Sequence, residues 1–193
     1  MTVKTAVVGC GPAARNQHLP AIRTNPKAEL VALCDPDTRA LQKASMDNIA
    51  TYTDIEEMVE TETLDSAHIC TPPQTRVDIT EIITPHEIDM LFEKPLAASV
   101  ADAEQLMELV DEHNILASVV HNKLFTPFFG KARELITDGE IGNVVATDMI
   151  NASDSDLTDT HREGWVHELP GGEIGEGLPH RIYMALAFCN NLG

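Results

Sequence analysis

Aromatic side chains make up only 4% of the chain, and six of its 193 residues are lysine. No apolar run approaches the roughly 20 residues of a membrane-spanning helix, and no basic-then-apolar leader opens the sequence. The expectation is a cytoplasmic protein with no membrane partner. Positive charge is the larger deficit: 13 basic residues stand against 31 acidic ones, a formal net charge of −18. Such a field repels nucleic acid and anionic lipid alike, which excludes polyanion binding as a role. The acids are scattered rather than clustered. That pattern suits a chain adapted to high salt, where screening removes self-repulsion, or else an ordinary acidic protein. The four cysteines, Cys10, Cys34, Cys70 and Cys189, lack metal-finger spacing and are expected to be reduced, small and buried. His161 and His167 match no common ligand spacing either, so no metal is expected.

What is present is ordinary for a globular α/β protein: 43% hydrophobic residues with 11 Gly and 11 Pro. Short β-branched runs alternate with helical patterns, the mark of a parallel sheet. Strands are expected at Val3–Val8, Leu30–Cys34, Ser66–Ile69, Ile88–Phe92 and Leu116–Val120, with a short piece near Thr51–Tyr52. Ala103, Leu106, Met107 and Val110 repeat at helical spacing, predicting a helix over Val100–His113. Phe128, Ala132, Leu135 and Ile136 predict the next, ending at Asp138-Gly139. Val144–Ile150 reads as one further strand. After a polar, acidic stretch, Asn151–Glu168, comes a last helix with the apolar stripe Ile174, Leu178, Ile182 and Ala185. The fold class is therefore α/β, a Rossmann-type parallel sheet with helices on both faces, followed by different material. The division falls at residues 1–121 and 122–193.

The first strand runs into Gly9-Cys10-Gly11-Pro12-Ala13-Ala14, a G-x-G-x-x-A string. In a strand–turn–helix setting Gly9 permits the tight turn, and Gly11 lets backbone approach a pyrophosphate. Pro12 and Ala13 open the helix toward the phosphates, and Ala14 lets that helix pack close to the sheet. Asp35 ends the second strand, where a carboxylate accepts hydrogen bonds from the adenosine ribose and repels the extra phosphate of NADP; Asp37 adds to that repulsion. An alternative use for an acid here is to cap the helix that starts near Asp37. The expected cofactor is NAD, with NADP second. Thr71-Pro72-Pro73 and Glu93-Lys94-Pro95 close two further strands on the same edge, where open α/β sheets bind ligands. Lys94 could aim its ammonium at a substrate hydroxyl, or be a solvated surface group. Glu176 and His180 lie at i, i+4 on the last helix, a pair able to do acid–base work or merely to decorate a surface.

Together these pieces resemble the Gfo/Idh/MocA oxidoreductases, the glucose-fructose oxidoreductase and inositol dehydrogenase family. The resemblance rests on Gly9-Cys10-Gly11, His18-Leu19-Pro20-Ala21-Ile22, Asp35 and Thr71-Pro72-Pro73. It continues through Glu93-Lys94-Pro95-Leu96, His121-Asn122-Lys123-Leu124-Phe125, Gly139-Glu140-Ile141-Gly142 and the segment from Gly171-Gly172 to His180. It implies a cofactor site that includes Thr71, Pro72, Glu93 and Lys94. It also implies an enzyme that moves a hydride between a sugar, polyol or related hydroxyl compound and a nicotinamide. Lys94 would lie by the reacting hydroxyl, and His180 would be the acid/base, with Glu176 in place of the usual aspartate. Three departures stand out: the longer Glu176, Arg76 where a histidine is common, and Tyr183 where a second aspartate often follows the histidine. Family members also continue past this length into a mixed sheet, so the resemblance makes the second part an incomplete α+β second domain. That implies an oligomer or a partner chain that completes the second domain, or else a catalytically silent NAD-binding module.

Overall fold

The computed structural model describes residues 2–150 and 172–189. The chain divides into two compact units, Met1–Val120 and His121–Gly193. The first holds six strands, β1 (Val3–Val8), β2 (Ala28–Cys34), β3 (Ala50–Tyr52), β4 (Ser66–Ile69), β5 (Asp89–Phe92) and β6 (Ala117–Val119). All adjacent pairs are parallel, in the order β3-β2-β1-β4-β5-β6. The chain enters at the middle, builds one half outward through β3, then returns to build the other from β4. This leaves a topological switch between β1 and β4, and in such sheets the carboxyl ends of the strands at that point form the ligand crevice.

Strand parity explains the two cores. Ala6, Val8, Ala32, Cys34, Ala67, Ile69, Met90 and Phe92 share one face. They pack with Met58 and Val59 of α3 (Ile55–Thr61), Ile83 of α4 (Arg76–Ile83) and Leu106 of α5 (Val100–Glu112). Val7 and Leu33 point the other way, onto Leu19 and Ile22 of α1 (Leu19–Thr24) and Leu41 and Ala44 of α2 (Thr38–Ala44). Strand segments covered on both faces read as continuous apolar runs, as Ala6–Val8 does in the buried half of β1. The helices start on local signals. Asp37 caps α2 through Arg39 N (2.9 Å), Asp54 caps α3 through Glu56 N (2.8 Å), and Ser99 caps α5 through Asp102 N (3.1 Å).

The second unit contains a short turn of helix at Asn122–Phe125, then α6 (Pro127–Thr137) and α7 (Gly172–Cys189). Phe129 of α6 stacks on Phe188 of α7 with centroids 4.5 Å apart. Ile174, Leu178, Ile182 and Leu186 form an exposed apolar stripe along α7. The strand expected at Val144–Ile150 is not formed: residues 144–150 carry no regular structure, and Val145 and Ile150 are almost fully exposed. A mostly apolar run does not make a strand by itself, since a strand also needs a neighbour to pair its N–H and C=O groups. Among the described residues none lies beside it. The Asn151–Glu168 stretch, with His161 and His167, lies outside the described residues. No helix among those described is long and apolar enough to cross a membrane, and no group of three or more His, Cys, Asp or Glu could hold a metal ion.

Candidate active site

The crevice in the first unit is built around the turn after β1. Gly9 has φ +88°, and a Cβ added to it would lie 2.8 Å from Thr71 N and 2.9 Å from the Cys70 carbonyl carbon. Its N–H donates to Cys34 O (2.8 Å), so the turn is pinned between the ends of β2 and β4. Gly11 differs in kind: a Cβ there would meet nothing within 4 Å. Gly9 is demanded by the protein's own packing, while Gly11 leaves open space over the turn. Helical backbone begins at Pro12 and passes through a π turn, Ala14–His18, before α1; Leu19 N donates to Ala14 O. Ala14 is fully buried against the sheet, whereas Pro12 is exposed and Ala13 half-buried at the helix start. Arg15 Nη1 reaches back to Cys10 O (2.7 Å).

Asp35 stands immediately after β2. Its Oδ2 accepts from Cys10 N (2.7 Å) and its Oδ1 from Asp37 N (2.8 Å). The helix cap is Asp37, not Asp35. Two carboxylate oxygens offer about four acceptor sites, so Asp35 can brace the glycine turn and still meet two ribose hydroxyls. Across the crevice the Thr71 hydroxyl oxygen is buried with no hydrogen-bond partner among the described residues. A free cradle over Gly11, a carboxylate at the end of β2 and an orphaned hydroxyl at the end of β4 together fit a bound dinucleotide. Burial pushes the thiols of Cys10 and Cys34 up to about 12, with the charge of Asp35 adding to it, and burial raises Cys70 as well. These are inert packing groups.

Pro72 leads into a short helical turn, Pro73–Thr75, and then α4. Arg76, first residue of α4, is buried and feeds carbonyls only. Nε and Nη2 donate to Thr71 O (3.2 and 2.8 Å), and Nη1 donates to Glu93 O, Pro95 O and Leu96 O. It straps the loop after β4 to the loop after β5. Burial lowers its guanidinium to about 10, which leaves it charged at neutral pH. As an internal strut it is not a substrate contact.

Glu93 and Lys94 follow β5, with the Lys94–Pro95 peptide cis. The buried Glu93 carboxylate accepts from Lys94 N (2.9 Å) and pairs with His18 Nε2 (3.0 Å); His18 Nδ1 meets His68 Nδ1 (3.0 Å). Burial alone would raise the Glu93 carboxyl, but the His18 hydrogen bond and charge, with the Lys94 amide and ammonium, outweigh it and hold the group below its ordinary value. His68 is pulled from 6.5 down to about 4, first by burial and then by the charge of His18. Lys94 itself is half-buried at the crevice edge.

This buried relay gives an acid-stability expectation. Between about pH 6.5 and 4 the unfolded chain protonates His68 while the folded chain does not, so the unfolded state binds more protons and stability falls as pH falls. The Glu93 contribution has the opposite group type but the same direction: it is present above the ordinary carboxylate range and lost on further acidification. His68 should account for roughly 2–3 kcal/mol across its window, some of the full shift being screened by the solvent that reaches the ring. Urea titrations from neutrality down to about pH 4 check this. The His68→Gln variant should show a flatter profile; an unchanged slope would rule out His68 as its source.

In the second unit His180 lies on α7, one residue past Pro179, which the helix accommodates. His180 Nδ1 is 2.6 Å from the Tyr183 hydroxyl, with the rings edge to face. Tyr183 is buried, stacks on His121 with centroids 4.2 Å apart, and lies 3.3 Å from Lys123 N and 3.4 Å from Asn122 Oδ1. The Glu176 side chain lies outside the described residues. The structure thus gathers Gly9, Gly11, Pro12, Ala13, Ala14, Asp35, Thr71, Pro72, Glu93 and Lys94 on one edge of the first unit. His180 belongs to the second. Sequence reading missed the His18–His68–Glu93 relay and the strut role of Arg76. One signal was available: His68 interrupts the apolar β4 on the face it shares with Val7, and a buried polar group there requires a partner.

A doubly built parallel sheet, a glycine turn at its switch point and an acid closing β2 define a dinucleotide-binding Rossmann unit. Residues 3–121 match the model of GFO_IDH_MocA, the oxidoreductase family with an NAD-binding Rossmann fold, and the chain belongs to that family. D-apiose dehydrogenase of Paraburkholderia graminis is 30% identical over 141 residues, 72% of this chain and 37% of that protein. The D-xylose 1-dehydrogenase, NADP(+), of Haloarcula marismortui is 25% identical over 145 residues, 72% of this chain and 40% of that protein. The crystal structure of a dehydrogenase from Bordetella bronchiseptica aligns with TM-score 0.83 at 24% identity, covering 97% of this chain and 50% of the other; this likeness concerns the fold. The chain therefore spans about half or less of the length of these relatives.

Proposed function

We propose that this chain carries the cofactor-binding part of an NAD-dependent dehydrogenase acting on a sugar, polyol or related hydroxyl compound. The carrying observation is the crevice at the β1/β4 switch, where the open cradle over Gly11, the orphaned Thr71 hydroxyl and Lys94 share one edge. Gly11, Pro12 and Ala13 would hold the diphosphate at the helix start, Asp35 the adenosine ribose, and Thr71 and Pro72 the far wall. When bound, the nicotinamide supplies the hydride acceptor or donor. Lys94 would hold and polarise the substrate oxygen, its loop fixed by Glu93. His180 would take or return the hydroxyl proton, with Glu176 one turn away on α7. The sugar dehydrogenases among the relatives support this substrate class. Calorimetry with NADH, followed by a turnover screen over aldoses and inositols, tests the reading; no affinity for NADH or NADPH would sink it.

NAD is preferred because a carboxylate at Asp35 repels the additional phosphate of NADP. Asp35→Asn, which keeps an acceptor but removes the charge, should narrow the NAD-over-NADP ratio of kcat/KM by roughly tenfold or more. A ratio unmoved by that change removes Asp35 from cofactor choice. The exposed stripe Ile174, Leu178, Ile182 and Leu186 supports an apolar partner surface on α7, met by a second copy or by further substrate-domain polypeptide.

A further inference from the structure

Resting on the reading of Lys94 as the group that holds the substrate oxygen, we propose that His18 is a buried imidazolium that answers the charge of Glu93 and so keeps that carboxylate from capturing the Lys94 ammonium. Glu93 is 7% exposed, and a carboxylate that deep requires a countercharge. Three basic side chains stand around it: His18, Lys94 and Arg76. Arg76 directs its guanidinium to main-chain oxygens, Glu93 O among them. Lys94 gives the carboxylate its backbone amide, at Oε2 (2.9 Å). Oε1 is taken by Nε2 of His18 (3.0 Å), a residue only 5% exposed. Among the described residues, His18 is the one that meets this carboxylate with its side chain.

An ionised carboxylate can only accept, so His18 carries a hydrogen on Nε2. Its Nδ1 faces His68 Nδ1 at 3.0 Å, and one hydrogen must lie between the two. Supplied by His68, that hydrogen would leave His18 neutral and Glu93 facing only dipoles on this side. Supplied by His18, it makes the ring an imidazolium, with the opposite charge 3.0 Å away and an acceptor on its far side. His68 suits the accepting role, because burial and the charge of His18 pull it down to about 4 and keep it neutral. The consequence falls on Lys94, whose ammonium is near enough for its charge to be felt at Glu93. With His18 uncharged, Glu93 would draw that ammonium onto the loop and away from the crevice. His18 is a positioning residue, since it acts through Glu93.

The first test is nitrogen NMR on the full wild-type chain labelled with 15N-histidine, where coupling across the shared hydrogen bond picks out His18 and His68 among the eight histidines. Both His18 nitrogens should be protonated, and His68 should carry its hydrogen on Nε2. A neutral His18, or no coupling, overturns the proposal. His18→Gln keeps a donor for Oε1 but cannot carry charge. It should lower kcat about tenfold or more while the NADH dissociation constant moves less than about threefold. In a chain labelled with 15N-lysine it should also shift the Lys94 ammonium signal. Adding Glu93→Gln removes the charge that captures Lys94. The double variant should therefore return that signal and recover turnover to within about threefold of wild type. A purely structural His18 predicts the reverse, a double variant no faster than His18→Gln, and that result also overturns the proposal. Failure of the functional reading would look different: Lys94→Met would keep its turnover, whatever the charge on His18.

Discussion

Replacing Gly9 with alanine should weaken NADH binding by at least about a hundredfold and destabilise the first unit by on the order of 4 kcal/mol. Two independent penalties meet at this residue. Its φ of +88° is one that a side chain rarely adopts, a strain of about 1–3 kcal/mol. The new Cβ would also lie 2.8 Å from Thr71 N and 2.9 Å from the Cys70 carbonyl carbon, and both are backbone atoms that cannot rotate away. The turn must therefore move off the end of β4, and the Gly11 cradle and the Asp35–Cys10 hydrogen bond move with it. Urea melts and NADH calorimetry on the same preparations separate the two losses. Gly11→Ala is the control: its Cβ meets no protein atom, so it should leave stability within about 1 kcal/mol while still impeding the ligand. Equal stability of the Gly9 variant and the wild type would refute this account of the turn.

Lys94→Met should lower kcat by about a thousandfold or more while changing the NADH dissociation constant by less than about threefold. Methionine has a similar length and apolar stem but no ammonium, so it removes the group proposed to polarise the substrate oxygen. A charged donor aimed at a developing oxyanion in a sheltered site is commonly worth two to three orders of magnitude, and loss of its proton-handling role adds to that. The loop should survive, because Glu93 takes its hydrogen bond from the Lys94 backbone amide and from His18, and Arg76 binds the carbonyls on either side. Turnover close to wild type would take Lys94 out of the chemistry. A large loss of NADH affinity would make it a binding residue instead.

The sheet was legible because strand segments covered on both faces read as short apolar runs between turn residues, Ala6–Val8 in β1 and Met90–Phe92 in β5, while Ser66 and His68 interrupt β4. The glycine turn, Asp35 and the Lys94 loop could be read because each depends on residue type at a strand end, and topology then brings those ends to one edge. The 144–150 segment was misread because a mostly apolar run says nothing about whether a neighbouring strand exists. The relay from His68 through His18 to Glu93 was hidden for a related reason. Its members are 25 to 75 residues apart in sequence, and only strand order and the π turn make them neighbours. Arg76 was placed correctly in the chain but not in its role, since a guanidinium that binds only carbonyls looks in sequence like any other helix-start cation.

One consequence concerns attempts to change the coenzyme. Asp35 is both the group proposed to discriminate against a phosphorylated ribose and the acceptor that holds the Cys10 amide. Selectivity and loop shape therefore meet in one side chain, and a change made for the first disturbs the second unless the new residue still offers an acceptor. A residue such as alanine at this position would erase the preference and slacken the loop together. Serine or asparagine offers an oxygen to the orphaned amide, which makes these the practical routes by which a descendant of this chain could come to use the other coenzyme.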